Sequence, residues 1–387
     1  MGIPLKTAIL AEKSGVLNSL TAPDPWQKQL DQLQSGRGEN HRLEPVTHFL
    51  FGACLGRTGL NRKTGLATLT LTLAAEAADA DVVAYFGGSV AGFEHHRGIT
   101  HTFLGVPFVA GATLAGVYGI YRILRSRGWK PKLAPDWKIL YMYALLGAIS
   151  HIGLDFLNNY GVRPLAPFHP QWYSWDIVFI VDPFILALLI CGLAMPAFLG
   201  LITEEMGGRK PEFRGRGAAR FALAGILALI AFRAYEHRRA VNALEALTYH
   251  DEPVLRASAY PTMLNPFAWH GVVETPSFLE AVKVNSSAGE VDPDNSAISR
   301  HKPEETPISL AAKESPLGRV YLDWAQYPYV EMTRLPEDKG YQIQFQDWRF
   351  LNEGIGPPGS APPLSGNVLL DNRLQLTNMY VGRPRKH

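Results

Sequence analysis

Cysteine is almost absent from this sequence. Only two of the 387 residues are cysteines, Cys54 and Cys191, and both lie in apolar segments. So few cysteines argue against a disulfide framework and against a cysteine-based zinc site. A metal bound by this chain would therefore need histidine and carboxylate ligands.

A strong net charge is also absent. The formal net charge is +2, and the basic residues cluster in short loops rather than along one face, so nucleic acid is not an expected partner. The first forty or so residues are polar and lack the apolar core of a cleaved signal peptide. We expect residues 1–44 to be an N-terminal extension, disordered or preceding the natural start.

Long apolar stretches dominate the first two thirds of the chain. A bilayer core of roughly 30 Å needs about 20 apolar residues in a helix. Five stretches approach that length, and a shorter sixth run, Val46–Leu55, precedes them; the five are Leu66–Gly87, Thr102–Leu124, Ile139–Phe156, Ile177–Ile202 and Ala218–Phe232. The pattern predicts an all-α polytopic membrane domain of about five to six helices over residues 45–235.

Lysine and arginine in short loops predict the orientation, since such loops stay in the cytoplasm. Three basic loops alternate correctly with the helices; they contain Arg57, Arg62 and Lys63, then Arg122, Arg125, Arg127, Lys130, Lys132 and Lys138, then Arg209, Lys210, Arg214, Arg216 and Arg220. The loops Gly88–His101 and Asn158–Ser174 should then face outward, together with everything after Tyr235. We expect a multi-pass protein of a bacterial inner membrane with a periplasmic C-terminal domain.

Residues 236–387 are rich in proline, charge, asparagine and serine, which predicts a small β-rich or α+β extracytoplasmic domain. A helix is predicted at Glu236–Leu247 and a loop at Gly354–Gly366. Short strands are predicted at Arg319–Asp323, Gln342–Phe345 and Asn367–Leu370.

Ionisable residues in or beside the apolar helices need a reason, because a charge at membrane depth costs at least a few kcal/mol unless it is paired or metal-bound. Almost all of them fall at one predicted level, the outer helix ends; they are His48, Glu76, Asp79, Asp81, Glu94, His95, His96, His101, His151, Asp155, Asp176 and Asp182. The orientation came from basic loops alone, so this agreement is independent evidence for a shared site.

Two pairs have the spacing of metal ligands. His151 and Asp155 stand at i and i+4, on one helix face and about one turn apart. Asp79 and Asp81 cannot both face one way on a helix, so one of them would bind an ion while the other bridges a second ion or orients a ligand. The candidate ligands are His48, Asp79, Asp81, His96, His101, His151 and Asp155. Imidazole with carboxylate suits one or two divalent transition metals, Zn²⁺ first, with Mn²⁺ or Fe²⁺ as alternatives.

Such a site would lower the pKa of a bound water to about 7 and stabilise charge on a carbonyl or phosphoryl oxygen. We assign Arg97, Asp81 and His96 to this chemistry, with Arg97 either holding a phosphate or meeting lipid headgroups. His95 and His169 are weaker ligand candidates. Trp172, Tyr173 and Trp175 are more typical of an interfacial aromatic belt.

At these motifs the sequence resembles the bacterial inner-membrane metal-dependent hydrolases, which are distantly similar to zinc-dependent phospholipase C. The resemblance covers about residues 44–200 and rests on Glu44–His48, Ala78–Val82, His96–His101, Ser150–Asp155, Asn158–Arg163 with Pro167–Phe168, and Val181–Pro183; it extends weakly to Asn265–His270. Ala78 departs from the family, which usually has proline there. The resemblance implies a metal-dependent hydrolase and leaves the substrate open.

The favoured hypothesis is hydrolysis of an ester, a phosphoester or a lipid-linked small molecule, at the outer face of the membrane. A transporter or proton relay could use the same charges, but its ionisable residues would spread across the membrane depth. A third hypothesis is an envelope scaffold whose outer domain binds a partner and whose membrane part only anchors it, with any metal site non-catalytic. It leaves the cluster of histidine and aspartate unexplained, so it ranks last.

Overall fold

A computed structural model describes residues 44–205, 215–292, 298–351 and 364–382. All of these belong to one compact unit that spans Arg42–His387. The predicted extension before Glu44, most of the predicted loop Gly354–Gly366, and the basic residues at 209, 210 and 214 lie outside the described residues.

The first half of the described chain is helical. Its α-helices are α1 Glu44–Arg57, α2 Ala67–Ala74, α3 Ser89–His95, α4 Val106–Ser126, α5 Trp137–Leu157, α6 Pro183–Glu205 and α7 Arg216–Glu245. Four of them, α4 to α7, are long and apolar enough to cross a membrane. They correspond to four of the five long stretches predicted from the sequence. The helical character of this half is therefore confirmed, with four helices among the described residues that could cross a membrane.

The remaining predicted span, Leu66–Gly87, is not one helix. It divides into α2 and a 3-10 helix at Ala77–Gly87. The Ala75 carbonyl accepts a hydrogen bond from His151 Nδ1 at 2.7 Å, and the Asp79 amide turns to the Glu76 carbonyl instead. The α-helical bond between residues 75 and 79 is thus replaced by a contact with α5, which ends the helix without proline or glycine.

Helix α7 is longer than predicted, because the expected span Ala218–Phe232 and the expected helix Glu236–Leu247 form one continuous helix. Its 30 residues extend about 45 Å. Its last turns pack Ala240 and Leu244 against Trp269 and Val273 of the first β-sheet. The membrane region and the β-rich region are therefore joined by a continuous, packed element.

The second half contains two antiparallel sheets and two short helices. The first sheet comprises β1 Arg256–Pro261, β2 Ala268–Glu274, β3 Phe278–Asn285 and β4 Glu290–Val291 in that order, with β5 Ile298–His301 also paired to β3. Helices α8 Pro307–Glu314 and α9 Pro316–Trp324 follow. The second sheet has the order β6 Pro328–Arg334, β7 Tyr341–Asp347, β8 Gly366–Leu370 and β9 Leu376–Val381.

The strands predicted at Gln342–Phe345 and Asn367–Leu370 are present as β7 and β8, whereas the strand predicted at Arg319–Asp323 is wrong. That segment is part of α9, which begins with Ser315 capping the Gly318 amide and with Pro316 in the first turn. Serine and proline in these positions favour a helix start. The predicted α+β composition of the C-terminal half is confirmed.

The core of the second sheet includes residues from the membrane region. Phe93 of α3 and Tyr160 of the loop after α5 pack with Tyr321, Trp324 and Phe345 in a single buried cluster. The β-rich region therefore lies directly against the loops that follow the site residues.

Candidate metal centre

Helix α5 supplies two of the site residues near its end. His151 and Asp155 are i and i+4, are 0% and 1% exposed, and approach to 3.3 Å between Nε2 and Oδ2. Asn158 caps the end of the helix, so Asp155 lies in its last turn and His151 one turn earlier. The spacing predicted from the sequence therefore does bring an imidazole and a carboxylate to one point.

Two other segments meet this pair. Asp79, in the 3-10 helix, places Oδ1 at 3.4 Å from Nε2 of His151 and at 3.4 Å from Nε2 of His101. His101 Nε2 also lies 3.4 Å from Asp155 Oδ2 and 3.0 Å from His151 Nε2. Four donor atoms from three separate elements thus converge.

The separations of these four atoms can be compared with a tetrahedral metal site. Ligands at about 2.0–2.1 Å from a zinc ion in a tetrahedron stand about 3.3–3.4 Å from one another. Four of the separations given above are 3.3–3.4 Å and the fifth is 3.0 Å. Asp155 Oδ2 is buried and accepts no hydrogen bond, so it points at the shared centre rather than at a hydrogen-bond donor. Five of the six separations among the four atoms are therefore close to tetrahedral values. His101, His151 and Asp155 form one group that could hold a divalent ion, with ligand atoms within 4.8 Å of one another.

The tautomers of the two imidazoles support the same conclusion. The Ala75 carbonyl can only accept a hydrogen bond, so His151 Nδ1 carries the proton. In the neutral ring Nε2 is then unprotonated, and its lone pair can bind a cation. His101 Nδ1 faces Asp81 Oδ2 at 3.3 Å and Thr100 Oγ1 at 3.1 Å, which favours the same tautomer. Two unprotonated Nε2 atoms at 3.0 Å repel each other unless a cation or a proton lies between them.

His48 is the next imidazole around this centre. Its ring stacks on that of His151 with centroids 3.9 Å apart, and its Nε2 is 3.3 Å from Asp155 Oδ1. His48, Asp79 and His151 form a second group whose ligand atoms lie within 4.8 Å of one another. His48 is therefore a fifth donor for the same ion or a ligand of a second one.

Arg97 is buried beside the cluster, at 1% exposure. Its guanidinium donates to Asp155 Oδ1 at 2.8 Å, to Asn158 Oδ1 at 3.1 Å and to the Gly161 carbonyl at 2.9 Å, and lies over the Tyr160 ring. In this position it orients Asp155. Its predicted contact with a phosphate stays a prediction.

The formal charges of the cluster do not balance by themselves. Three carboxylates, on Asp79, Asp81 and Asp155, face one guanidinium, on Arg97. With neutral imidazoles this leaves two negative charges in a mostly buried site, which one divalent cation would compensate.

The comparisons with known proteins concern this half of the chain. A model of the YdjM inner membrane protein family matches residues 43–240, just over half of the sequence. The chain belongs to this family. The YdjM segment therefore contains every predicted ligand.

A protein of Bacillus subtilis (strain 168) named "Uncharacterized protein YfhP" is 27% identical over 161 residues, which is 40% of this chain and 46% of that protein. The chain thus matches less than half of the relative's length. No solved structure matches. Membership in the YdjM family supports the prediction that the protein lies in the inner membrane.

Within the YdjM segment, Asp81 and His96 lie around the first four ligands rather than among them. Asp81 Oδ2 accepts from the Arg97 amide at 2.7 Å as well as facing His101, and Asp81 Oδ1 is 3.5 Å from His96 Nδ1. The His96 side chain is 19% exposed and that of Asp79 23%. The cluster is therefore open to solvent on the side of these two residues.

Apart from Glu76, whose carboxyl is close enough for the charges of Asp79, His151 and Asp155 to act on it, the other ionisable candidates lie away from the centre. Asp182 caps α6 and forms a fully buried ion pair with Arg233 at 2.8 Å. Asp176 is buried near Arg349, and burial raises its pKa to about 6. Glu94, His95 and His169 are exposed, Glu76 is half-buried, and Trp172 is half-buried against Tyr160.

Several residues of the site were not predicted. The Ala75 carbonyl fixes His151, Asn158 and Gly161 fix Arg97, and Trp324 and Arg349 contact the same loop from the β-rich region. Only Asn158 and Gly161 carried a signal in the sequence, since both lie in the motif Asn158–Arg163 of the family resemblance. Gly161 has a φ of +85°, a conformation in which glycine is preferred.

Proposed function

We propose that this membrane protein is a metal-dependent hydrolase whose site lies at the outer face of a bacterial inner membrane. The observation that carries the proposal is the convergence of His101 Nε2, His151 Nε2 and Asp155 Oδ2, with Asp79 Oδ1 at 3.4 Å from both imidazole nitrogens. A purely structural cluster would pair each acceptor with a donor. Here a buried carboxylate oxygen and two imidazole nitrogens point at the same place.

The ligand chemistry favours Zn²⁺, with Mn²⁺ or Fe²⁺ as alternatives, because the donors are two imidazoles and two carboxylates without a thiolate. His48 would complete a five-coordinate site or hold a second ion. A divalent ion held there would lower the pKa of a coordinated water towards 7 and balance charge on the substrate oxygen.

The residues of this chain would divide the remaining work by their positions. His96 is the most exposed imidazole of the cluster and faces Asp81, so it can take a proton at the open side while the carboxylate orients its ring. Asp81 also holds His101 through Nδ1, and Arg97 holds Asp155. Arg97, Asp81 and His96 therefore keep catalytic or positioning roles in this proposal.

The substrate class is an ester, a phosphoester or a lipid-linked molecule. Exposed apolar side chains follow Asp79 along the 3-10 helix, where Val82 and Val83 are 59% and 60% exposed and Phe86 is 95% exposed. Residues of this kind suit the apolar boundary of a bilayer, which is where a lipid-linked ester would reach Asp79 and His96.

Elemental analysis and hydrolysis assays of the purified protein test the proposal. The wild type should contain near-stoichiometric transition metal and cleave the phosphodiester bis(4-nitrophenyl) phosphate, and His101→Ala should lose both. His95→Ala is the matched control, since His95 is exposed and only six residues away. A metal-free, inactive wild type would refute the proposal, while bound metal without hydrolysis of any ester would favour a scaffold with a non-catalytic metal site.

A proton relay is the second candidate, and one observation favours it. The 3.0 Å separation between His101 and His151 would also fit a proton shared by the two rings. In that case the protein would contain no metal, and adding a chelator would change neither its stability nor its activity. Metal content therefore discriminates between the two functions.

A further inference from the structure

We infer that Trp324 and Arg349, two residues of the β-rich region, are positioning residues of the metal centre. They act through the loop Asn158–Gly161, which follows the ligand helix α5. The inference rests on the metal centre proposed above and assigns to the C-terminal region a part in building that centre.

Three consecutive carbonyls of this loop are held by three different side chains. The Asn159 carbonyl accepts from Arg349 Nη1 at 2.9 Å, the Tyr160 carbonyl from Trp324 Nε1 at 3.1 Å, and the Gly161 carbonyl from Arg97 Nη1 at 2.9 Å. The first two donors belong to the β-rich region and the third belongs to the site. The loop is thus fixed on one side by the C-terminal half and on the other by the residue that orients Asp155.

The path from this loop to the ligand is short. The Arg97 nitrogen that binds Gly161 also binds Asn158 Oδ1 at 3.1 Å, and the other terminal nitrogen binds Asp155 Oδ1 at 2.8 Å. The Tyr160 ring lies under the Arg97 guanidinium at 4.8 Å and packs edge-on to His96. A displacement of the loop would therefore move the partners that hold Arg97, and with them the carboxylate of Asp155.

Arg349 is built for this role by its own surroundings. It is 2% exposed, pairs with Asp347 through Nε at 2.9 Å, donates to the Trp324 carbonyl at 3.1 Å and lies over the Trp324 ring at 4.4 Å. A planar guanidinium can reach a carboxylate and two carbonyls at fixed angles, whereas a lysine ammonium cannot reproduce this fork. Asp347 compensates the charge of Arg349, so the hydrogen bond to the Asn159 carbonyl serves to fix the position of the loop.

These contacts come from outside the family segment. The YdjM match ends at residue 240, and both Trp324 and Arg349 lie beyond it. Among the described residues, the β-rich half of this chain therefore supports a site whose predicted ligands all lie in the other half.

Metal binding and hydrogen exchange of the full-length protein in detergent test the inference. Trp324→Phe removes one hydrogen-bond donor and keeps an aromatic ring, Arg349→Lys keeps the charge and loses the fork, and Arg334→Met is a control. Arg334 is an exposed arginine that pairs with Asp338 in the same region. Loss of a residue that directly holds a metal ligand typically weakens metal binding by about 10–100-fold, and Trp324 and Arg349 act one contact further away, through the loop and Arg97. We expect the Zn²⁺ dissociation constant to rise about tenfold in the two test variants and to stay within twofold of wild type in the control.

Two further readouts separate positioning from folding. In the Co²⁺-loaded protein the visible d–d absorption should change in the test variants but not in Arg334→Met, while size-exclusion profiles stay the same. In metal-free protein the loop amides at 158–161 should exchange hydrogen faster in both test variants than in the control.

Each outcome has one meaning. Wild-type Zn²⁺ affinity, an unchanged Co²⁺ spectrum and unchanged exchange in Trp324→Phe would overturn the inference even if Arg349→Lys does not fold. A wild type that binds no Zn²⁺ at all would overturn the metal centre and this inference together. Metal binding by the wild type with unaffected variants would overturn the inference alone.

Discussion

Asp79 and Asp81 are two residues apart, yet the structure gives them different roles, and this difference can be measured. Asp79 Oδ1 is one of the four converging donor atoms, at 3.4 Å from both His101 and His151. Asp81 instead faces Nδ1 of His101 at 3.3 Å and accepts from the Arg97 amide at 2.7 Å. Asp79→Asn should therefore remove a ligand, whereas Asp81→Asn should only loosen one.

The expected magnitudes follow from these positions. Loss of an outer carboxylate that orients a ligating histidine typically weakens metal binding by 10–100-fold, or about 1.4–2.7 kcal/mol. Loss of Asp79 removes one of four donors and its negative charge, so the site should no longer hold Zn²⁺ through dialysis. Competition with a chromophoric zinc chelator measures the first effect, and elemental analysis measures the second.

Glu94→Gln is the control, because Glu94 is an exposed carboxylate that lies in the sequence between Asp81 and His96. The reasoning is refuted if Asp81→Asn empties the site while Asp79→Asn leaves the zinc affinity unchanged. That result would make Asp81 the ligand and Asp79 the outer carboxylate.

Three further predictions concern stability and orientation. Arg233→Met leaves Asp182 buried without its ion-pair partner and should lower the free energy of unfolding by about 3–5 kcal/mol, seen as a lower melting temperature than that of the exposed-site variant Arg220→Met. Burial raises the pKa of Asp176 from 3.8 to about 6, so this carboxyl stabilises the fold below pH 3.8 and that contribution, about 3 kcal/mol, is lost as the pH rises through 6. The Asp176→Asn variant should therefore melt at a higher temperature than wild type at pH 7, and its melting temperature should depend less on pH between 4 and 6. Asparagine tolerates the φ of 58° at this position. Identical melting curves would contradict this prediction. In a chain whose two cysteines are replaced by alanine, Ser287→Cys should react with a membrane-impermeant maleimide in intact spheroplasts and Ser126→Cys only after permeabilisation, and the reverse result would invert the proposed orientation.

The candidate ligands could be identified from the sequence because their spacing is local or their position is unusual. His151 and Asp155 needed only the helical repeat, and the other candidates stood out as charges beside apolar helices. The different roles of Asp79 and Asp81 also follow from their separation of two residues. The four candidate spans were predictable from length and composition alone.

The break at Ala75 and the support of the site depend on long-range contacts, which no local pattern contains. The stretch Leu66–Gly87 is apolar enough for a single helix, but a bond from a residue 76 positions later diverts the Ala75 carbonyl. Trp324 is 164 residues along the chain from the Tyr160 carbonyl that it binds, and Arg349 is 190 residues from the Asn159 carbonyl that it binds. The wrong strand at Arg319–Asp323 is different, since Ser315 and Pro316 just before it carry a local signal for the start of a helix.

An anomalous difference map of crystals of the zinc-loaded protein, recorded at the zinc edge, tests the central claim most directly. We expect a peak between His101 Nε2, His151 Nε2, Asp79 Oδ1 and Asp155 Oδ2, with each of the four atoms at about 2.0–2.2 Å. A map without a peak among these atoms, or with the zinc bound elsewhere in the chain, would contradict the account.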